Sequence, residues 1–403
     1  MHNTNFYGLP KIHKNLDISQ QCTNLSSPYV KLASVNDLKF RPIIAGPACP
    51  THRLSNFVDI LLKPFTKHVK SYIQDRADFL NSLPKSVNAN TKLVSFDVVN
   101  LYSNIPHDLG IKALRYWLDK HPSGIPERVS KEFIIESIQF ILDNNTFHFD
   151  GAHYKQIKGT AMGTKMAPTY ATLVLGYLEE ILYSKVEKHF GREFNQEFQT
   201  KWKRFLDDCF ILWNRSDADL ECLTKELQNL HPSLAFTKEE NNEQLPFLDV
   251  SVTIANNVVE TDVHYKPTDS KQYLDFNSCH PRHTKNSVPY SLARRICMIV
   301  SNSDCVEYRL HELKDLLLQR NYPMQIIDDA INKAKRQNRN DLLKIKEKVY
   351  ENVLPFISTF NPRNPEIFSK LKETLQPLNR CDNLKNKMSQ ITLIKSKRQS
   401  RSI

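Results

Sequence analysis

Three things this chain has little of narrow what it can be. Its eight cysteines, Cys22, Cys49, Cys209, Cys222, Cys279, Cys297, Cys305 and Cys381, form no CxxC pair. That scatter argues against a zinc ribbon or a dense disulfide framework and fits a reducing compartment. No apolar run approaches the roughly 20 residues of a membrane-spanning helix. The opening MHNTNFYGLP lacks the apolar h-region of a signal peptide. A soluble, intracellular protein is the expectation. Glycine is the third scarcity: nine residues, none after Gly191. Gly159 and Gly163 nevertheless share one short segment, so the backbone there is expected to need a positive φ or a close approach to a partner.

What is present is a globular composition, 40% hydrophobic and 25% charged, over 403 residues, enough for two or three domains. Lys and Arg number 55 against 44 Asp and Glu, a net charge of +11, which favours a polyanionic partner, nucleic acid first. Basic clusters lie at GLPKIHK (8–14) and LKFRPII (38–44). Leu54, Phe57, Val58, Leu61 and Leu62 recur at helical spacing, and the pattern predicts a helix over 54–85. TKLVSFDV (91–98) reads as a strand carrying Asp97, with amphipathic helices at Ile111 to Leu118 and Phe133 to Leu142. A hairpin is expected at 147–159, turning at Asp150-Gly151, followed by a long helix over 166–190. A polar helix over 217–230 precedes a second hairpin, 248–265, which turns at Asn256-Asn257. Beyond about 290 the pattern is helical, and KSKRQSRSI closes the chain as either a nuclear signal or a solvated end.

The chemistry gathers on aspartates. RFLDDCFILW sets Asp207 and Asp208 side by side in an apolar run. Asp is depleted in strands and adjacent carboxylates repel, so either the pair is an ordinary hairpin turn or it binds a divalent cation through hard oxygen ligands. If the strand ending at Asp97 is a neighbour in the same sheet, three carboxylates converge. With substrate phosphates, such a set can hold two Mg²⁺ about 4 Å apart for phosphoryl transfer. Tyr102 would then lie beside the sugar of an incoming nucleotide, or else simply pack in the core. GTAMGTKMAPTYA (159–171) could let backbone approach a base pair, or seat a helix tightly on a sheet. Lys39 and Arg41 could grip a triphosphate, Arg through bidentate contacts.

RPII, SFDVVNLYSNIP, GTAMGTKMAPTYA, RFLDDCF and LPFLDV, in that order, resemble the successive palm and finger motifs of reverse transcriptases. FYGLPKIHK, NLYSNIP and HYKPTDSKQYLDFNSCHP are similar to Penelope-like retroelements, relatives of telomerase reverse transcriptases. The resemblance runs from about residue 6 to 365 and implies an α+β right-hand polymerase. Fingers would comprise 1–90 and 105–165, and an antiparallel-sheet palm 91–104 and 166–265. A primer grip and helical thumb, helix-turn-helix-like, would occupy 266–365, and a basic tail 366–403. It implies an RNA-directed DNA polymerase that extends a DNA 3′ end on an RNA template, using dNTPs and two Mg²⁺ (or Mn²⁺), in the nucleus. Asp97, Asp207 and Asp208 would be catalytic metal ligands. Lys39, Arg41, Tyr102, Gly159, Gly163, Met166, Ala167 and Pro168 would surround the nucleotide. Lys11, Lys14, Lys266, Arg294 and Arg295 would contact nucleic acid.

Phe205 stands where the family usually has Tyr before the aspartate doublet, a change expected to tune catalysis and not abolish it. The chain starts almost at the first motif and carries no GIY-YIG endonuclease, so a truncated copy, with any endonuclease supplied in trans, is expected. An alternative is a catalytically decayed or domesticated binding protein. A helix-turn-helix centred on 287–323 is a third reading. Asp249 reads as structural, and Cys279, His280 and His283 read as a loop, because no second ligand pair follows at zinc-finger spacing.

Overall fold

The structure is a computed structural model that describes residues 4–11, 18, 38–46, 49–266, 269–344, 353–359, 370, 373 and 392–398. It is a mixed helix and sheet fold that divides into two compact units, one of residues 1–270 with 299–302 and the other of 271–298 with 303–403.

In the first unit, β1 (Phe6–Pro10) and β2 (Phe40–Ile44) form an antiparallel ribbon. β3 (Lys92–Val98) is an inner strand of a four-stranded antiparallel sheet. β4 (Thr146–Phe149) and β5 (Ala152–Lys155) make a hairpin. Its turn is left-handed at both Asp150 (φ 47°) and Gly151 (φ 75°), which matches the right-handed twist of the strands. β6 (Lys203–Phe205) and β7 (Asp208–Trp213) then join the central sheet with β8 (Phe236–Asn241), in the order β6-β7-β3-β8. β9 (Gln244–Phe247), β10 (Val250–Ala255) and β11 (Val258–Val263) complete a separate three-stranded sheet. The β10–β11 hairpin turns at Asn256-Asn257 as expected, whereas β8 and β9 have too little alternation to be read from sequence.

Alternation explains which face of the central sheet is buried. Val94, Phe96 and Val98 of β3 and Cys209, Ile211 and Trp213 of β7 point into the hydrophobic core. There they meet the helices His107–Lys120, Lys131–Asp143 and Ala167–Phe190. The opposite face carries Asp97 and Asp208. Farther along it, Phe210 packs edge-on against Phe79, ring centroids 5.1 Å apart, and lies 5.3 Å from Phe247. One face is therefore sealed, and the other is covered at one end only.

The helix expected over 54–85 is broken. An α-helix, His52–Leu62, passes into a 3-10 segment, Lys63–His68, with Pro64 in its first turn. Proline supplies no N–H for a continuing ladder. A new helix, Arg76–Ser82, begins where the Asp75 carboxylate accepts hydrogen bonds from the Ala77 and Asp78 amides, at 2.9 and 3.1 Å. The helix expected to be polar, Asp217–Gln228, buries Leu220, Leu223 and Leu227.

The second unit contains the helices Arg282–Ile299, Ser303–Leu318, Met324–Lys335 and Arg339–Leu343. The Tyr290 hydroxyl accepts from Gln337 at 2.7 Å, and Arg339 Nε donates to the Met298 carbonyl at 3.0 Å. Strands β12 (Val353–Thr359) and β13 (Thr392–Arg398) pair in parallel, so part of the expected basic tail is strand. Among the described residues no helix is long and apolar enough to cross a membrane.

The Gly159–Gly163 segment meets its expectation on both counts. Gly163 has φ +124°, and a Cβ there would stand 2.0 Å from the Ile44 carbonyl oxygen. That contact accompanies a bridge between Ile43 and Met162, where the Ile44 amide donates to the Met162 carbonyl at 2.9 Å. Gly159 has φ +73°, and its Cβ would lie 2.4 Å from the Tyr102 carbonyl oxygen. Replacing Gly163 with Ala is therefore expected to destabilise the protein by about 1–3 kcal/mol. Urea denaturation followed by circular dichroism checks this, and an unchanged midpoint would contradict it.

Candidate active site

The pairing of β3 with β7 sets Asp97 directly opposite Asp208 on the open face. The turn between β6 and β7 is Leu206-Asp207, so Asp208 is the first residue of a strand and not part of the turn itself. The Val98 amide donates to the Asp207 carbonyl at 3.1 Å, which ties that turn to β3. Leu206 is left-handed at φ 55°, a conformation unfavourable for a residue with a Cβ. All three aspartates are half-buried.

They line one cavity of about 630 Å³ together with Arg41, Lys11, Tyr102 and Lys266. Burial raises the proton affinity of Asp207, with the charge of Asp97 adding to it. Asp208 is pushed up to about 6, first by burial and then by Asp207 and Asp97, with Lys266 and Arg41 pulling the other way. Tyr102 is raised to about 12 by burial and the nearby Asp207, so its ring meets the cavity as a neutral phenol. The cluster sets three carboxylates among the cations Arg41, Lys11 and Lys266. Its oxygen donors suit a hard divalent cation. Among the described residues, no group of three or more His, Cys, Asp or Glu side chains stands ready to hold a metal ion, so the carboxylates would have to reorient to bind one.

The other expected residues fall in different places. The Lys11 ammonium donates to the Asn100 side-chain oxygen at 3.3 Å, and its backbone amide donates to the Lys39 carbonyl at 2.7 Å. Lys39 itself is exposed and does not line the cavity. Tyr102 and Met162 also border a second cavity of about 740 Å³, where Gly163, Ala167 and Pro168 are found. Gly159 packs against the Tyr102–Ser103 backbone, and its carbonyl lies 3.0 Å from His107 Nε2. Met166 is fully buried, its amide donating to the Ser55 hydroxyl at 3.0 Å, so it anchors the segment from behind. Lys14 lies outside the described residues. Arg294 and Arg295 belong to the second unit and are half-buried, with Arg294 donating to the Leu342 carbonyl at 3.4 Å. Asp249 makes an ion pair with Arg76 at 2.9 Å, the structural role expected of it.

Several cavity residues, Glu239 among them, are not singled out in the sequence, and two of these lie inside quoted motifs. Met162 sits between the glycines and separates the two cavities. His264, two residues before Lys266, opens the HYKPTDSKQYLDFNSCHP stretch and lines the aspartate cavity. A third, Arg204, lies behind the cavity. A charged residue between Lys203 and Phe205, three positions before Asp207, was its only signal.

Residues 272–332 match the Animal helix-turn-helix domain family. No curated protein matches the chain. Among solved structures it is similar to telomerase from Candida albicans in complex with a fragment of telomeric RNA. There the TM-score is 0.49 at 10% identity, over 83% of this chain and 57% of that one. A truncated apo telomerase from Candida tropicalis gives 0.40 at 15% identity, over 56% and 53% of the two chains. The RNA-dependent RNA polymerase of BmCPV gives 0.41 at 14% identity, over 54% and 21%. The chain thus spans little more than half the length of these telomerases. At such TM-scores the likeness carries no functional argument, and the weight falls on the residues.

The raised Asp208 carboxyl has a thermodynamic consequence. The folded state binds that proton more tightly than the unfolded chain, so the stabilisation is complete below about pH 4 and is lost as pH rises through about 6. Asp208→Asn should therefore make the metal-free protein more stable at pH 8 by about 1–2 kcal/mol, allowing for the site's partial exposure, and change little at pH 4. Urea titrations at the two pH values test this. An Asn variant no more stable than wild type at pH 8 would contradict it.

Proposed function

We propose that the first unit is a template-directed nucleotidyltransferase, and that its template is RNA and its product DNA, as in the reverse transcriptases of Penelope-like retroelements. The observation that carries this reading is Asp97 facing Asp208 across β3 and β7, with Asp207 beside them and Arg41, Lys11 and Lys266 around the same cavity.

Asp97, Asp207 and Asp208 are the residues that would hold divalent metal, Mg²⁺ or Mn²⁺. Metal there would activate a primer 3′-hydroxyl and neutralise charge on the departing pyrophosphate. The remaining work is positioning and charge compensation by the chain's own groups. The Arg41 guanidinium suits the triphosphate, because its planar fork pairs with two phosphate oxygens at once. Tyr102 presents a neutral ring between the two cavities, where bulk would exclude a 2′-hydroxyl. The backbone of Gly159 to Pro168 forms a wall on which a nascent base pair would lie. In this reading the fingers, palm and thumb keep the bounds expected from the sequence, and the helices Arg282–Ile299, Ser303–Leu318, Met324–Lys335 and Arg339–Leu343 belong to the thumb.

Asp97→Ala or Asp207→Ala should lower Mg²⁺-dependent dNTP incorporation on a primed RNA template by roughly 10³-fold or more. Duplex binding, which rests on basic residues, should be spared. If the purified wild-type chain incorporates no dNTP in that assay, the reading fails.

The match over 272–332 favours a second reading for that unit, a helix-turn-helix that binds duplex through a preferred sequence. Gel-shift titration of the full chain separates the two. A thumb binds random and selected duplexes alike, through phosphates, whereas a sequence reader prefers selected duplexes by about 10³-fold or more.

A further inference from the structure

Behind the aspartate hairpin lies an ion pair that the proposed chemistry does not use. The side chains of Arg204 and Glu179 are 1% and 6% exposed. Arg204 Nε donates to Glu179 Oε1 at 2.8 Å and Nη2 to Oε2 at 3.1 Å. The same carboxylate accepts from Trp202 Nε1 at 2.9 Å and from the Ser71 hydroxyl at 2.6 Å. The guanidinium's other donors go to backbone. Nη2 reaches the Thr172 carbonyl and Nη1 the Leu206 carbonyl, each at 3.1 Å. Thr172 and Glu179 lie on the helix Ala167–Phe190, which continues from the Gly159 to Pro168 wall. Leu206 is the left-handed residue that opens the aspartate turn.

Stability alone gives little reason to bury a full charge pair here, since well-packed apolar residues of similar volume do as well or better. Apolar residues cannot, however, hold two backbone carbonyls from different elements in a fixed relation. We propose that Arg204 and Glu179 are positioning residues, which clamp the Leu206 carbonyl to the helix Ala167–Phe190 and so fix Asp207 and Asp208 relative to the base-pair wall. This rests on the polymerase reading for its purpose, but not for its geometry. The pair touches neither cavity and takes no part in the chemical step.

The test uses the full chain as wild type, Arg204→Lys, Glu179→Gln and the apolar double variant Arg204→Met/Glu179→Leu. Three quantities are read: Mn²⁺ half-saturation by calorimetric titration, kcat and nucleotide KM for primer extension, and hydrogen exchange of the Val98 amide, which donates to the Asp207 carbonyl. Lys keeps the charge but not the fork. A folded Arg204→Lys or double variant should bind Mn²⁺ roughly 10-fold or more weakly. Its kcat should fall by a similar factor while nucleotide KM stays within about twofold. Where the larger changes unfold the chain, Glu179→Gln keeps the shape, and its Val98 amide should exchange faster with the rest of the core unaltered. A folded Arg204→Lys or double variant that matches wild type in Mn²⁺ affinity and kcat overturns the proposal, as does a Glu179→Gln protein with unchanged Val98 exchange. A wild-type chain that binds Mn²⁺ but never extends a primer defeats the polymerase reading alone, and the Mn²⁺ and exchange data still decide the clamp.

Discussion

Everything at the candidate site depends on one antiparallel register, the pairing of β3 with β7 that puts Asp97 opposite Asp208. Cross-strand neighbours in such a ladder have Cβ atoms about 5 Å apart, and like charges at that distance repel. The strands cannot slip to relieve the repulsion. A shift of one residue would turn Val94, Phe96 and Val98 out of the core and bring polar residues in. The hydrophobic face thus holds the carboxylate pair together, and Asp208 binds its proton more tightly than a free carboxyl, first because it is buried and then because Asp207 and Asp97 lie near it.

Around that pair the chain uses close backbone approach to bring distant segments together. The Ile44 amide on the Met162 carbonyl and the contact between Gly163 and the Ile44 carbonyl oxygen bring the Arg41 strand against the 159–168 wall. Tyr102, whose own carbonyl accepts from the Thr160 amide at 2.7 Å, is placed by the same wall. The β1–β2 ribbon and the 159–168 segment are thereby joined through main chain. Tyr102 and Met162 are left to divide the cavity that holds the aspartates from the more apolar one beside it.

How much of this could be read beforehand depends on the range of the interaction. Local signals read well. Asp150-Gly151 and Asn256-Asn257 turn where left-handed residues are cheapest, and the alternating β3 and the long helix at 167–190 appear where their patterns place them. The aspartates stood out because an apolar run had no use for them. Long-range interactions did not show. β9 came to light only through its pairing with β10, whereas the break at Pro64 was a local signal that the continuing apolar spacing masked. Arg204 was assigned no role, because nothing in RFLDD reveals a carboxylate on the helix 25 residues earlier. Buried polar networks are satisfied by partners that sequence spacing does not predict.

We propose that Asp97, Asp207 and Asp208 together form a divalent-cation site that operates on a nucleotide. The most direct measurement is a crystal structure of the chain with primer-template, an unreactive dNTP analogue and Mn²⁺, with data collected at the manganese absorption edge. The expected result is anomalous peaks at these three carboxylates, beside the analogue's phosphates. A well-ordered complex with the nucleotide bound and no anomalous peak at the aspartates would contradict it.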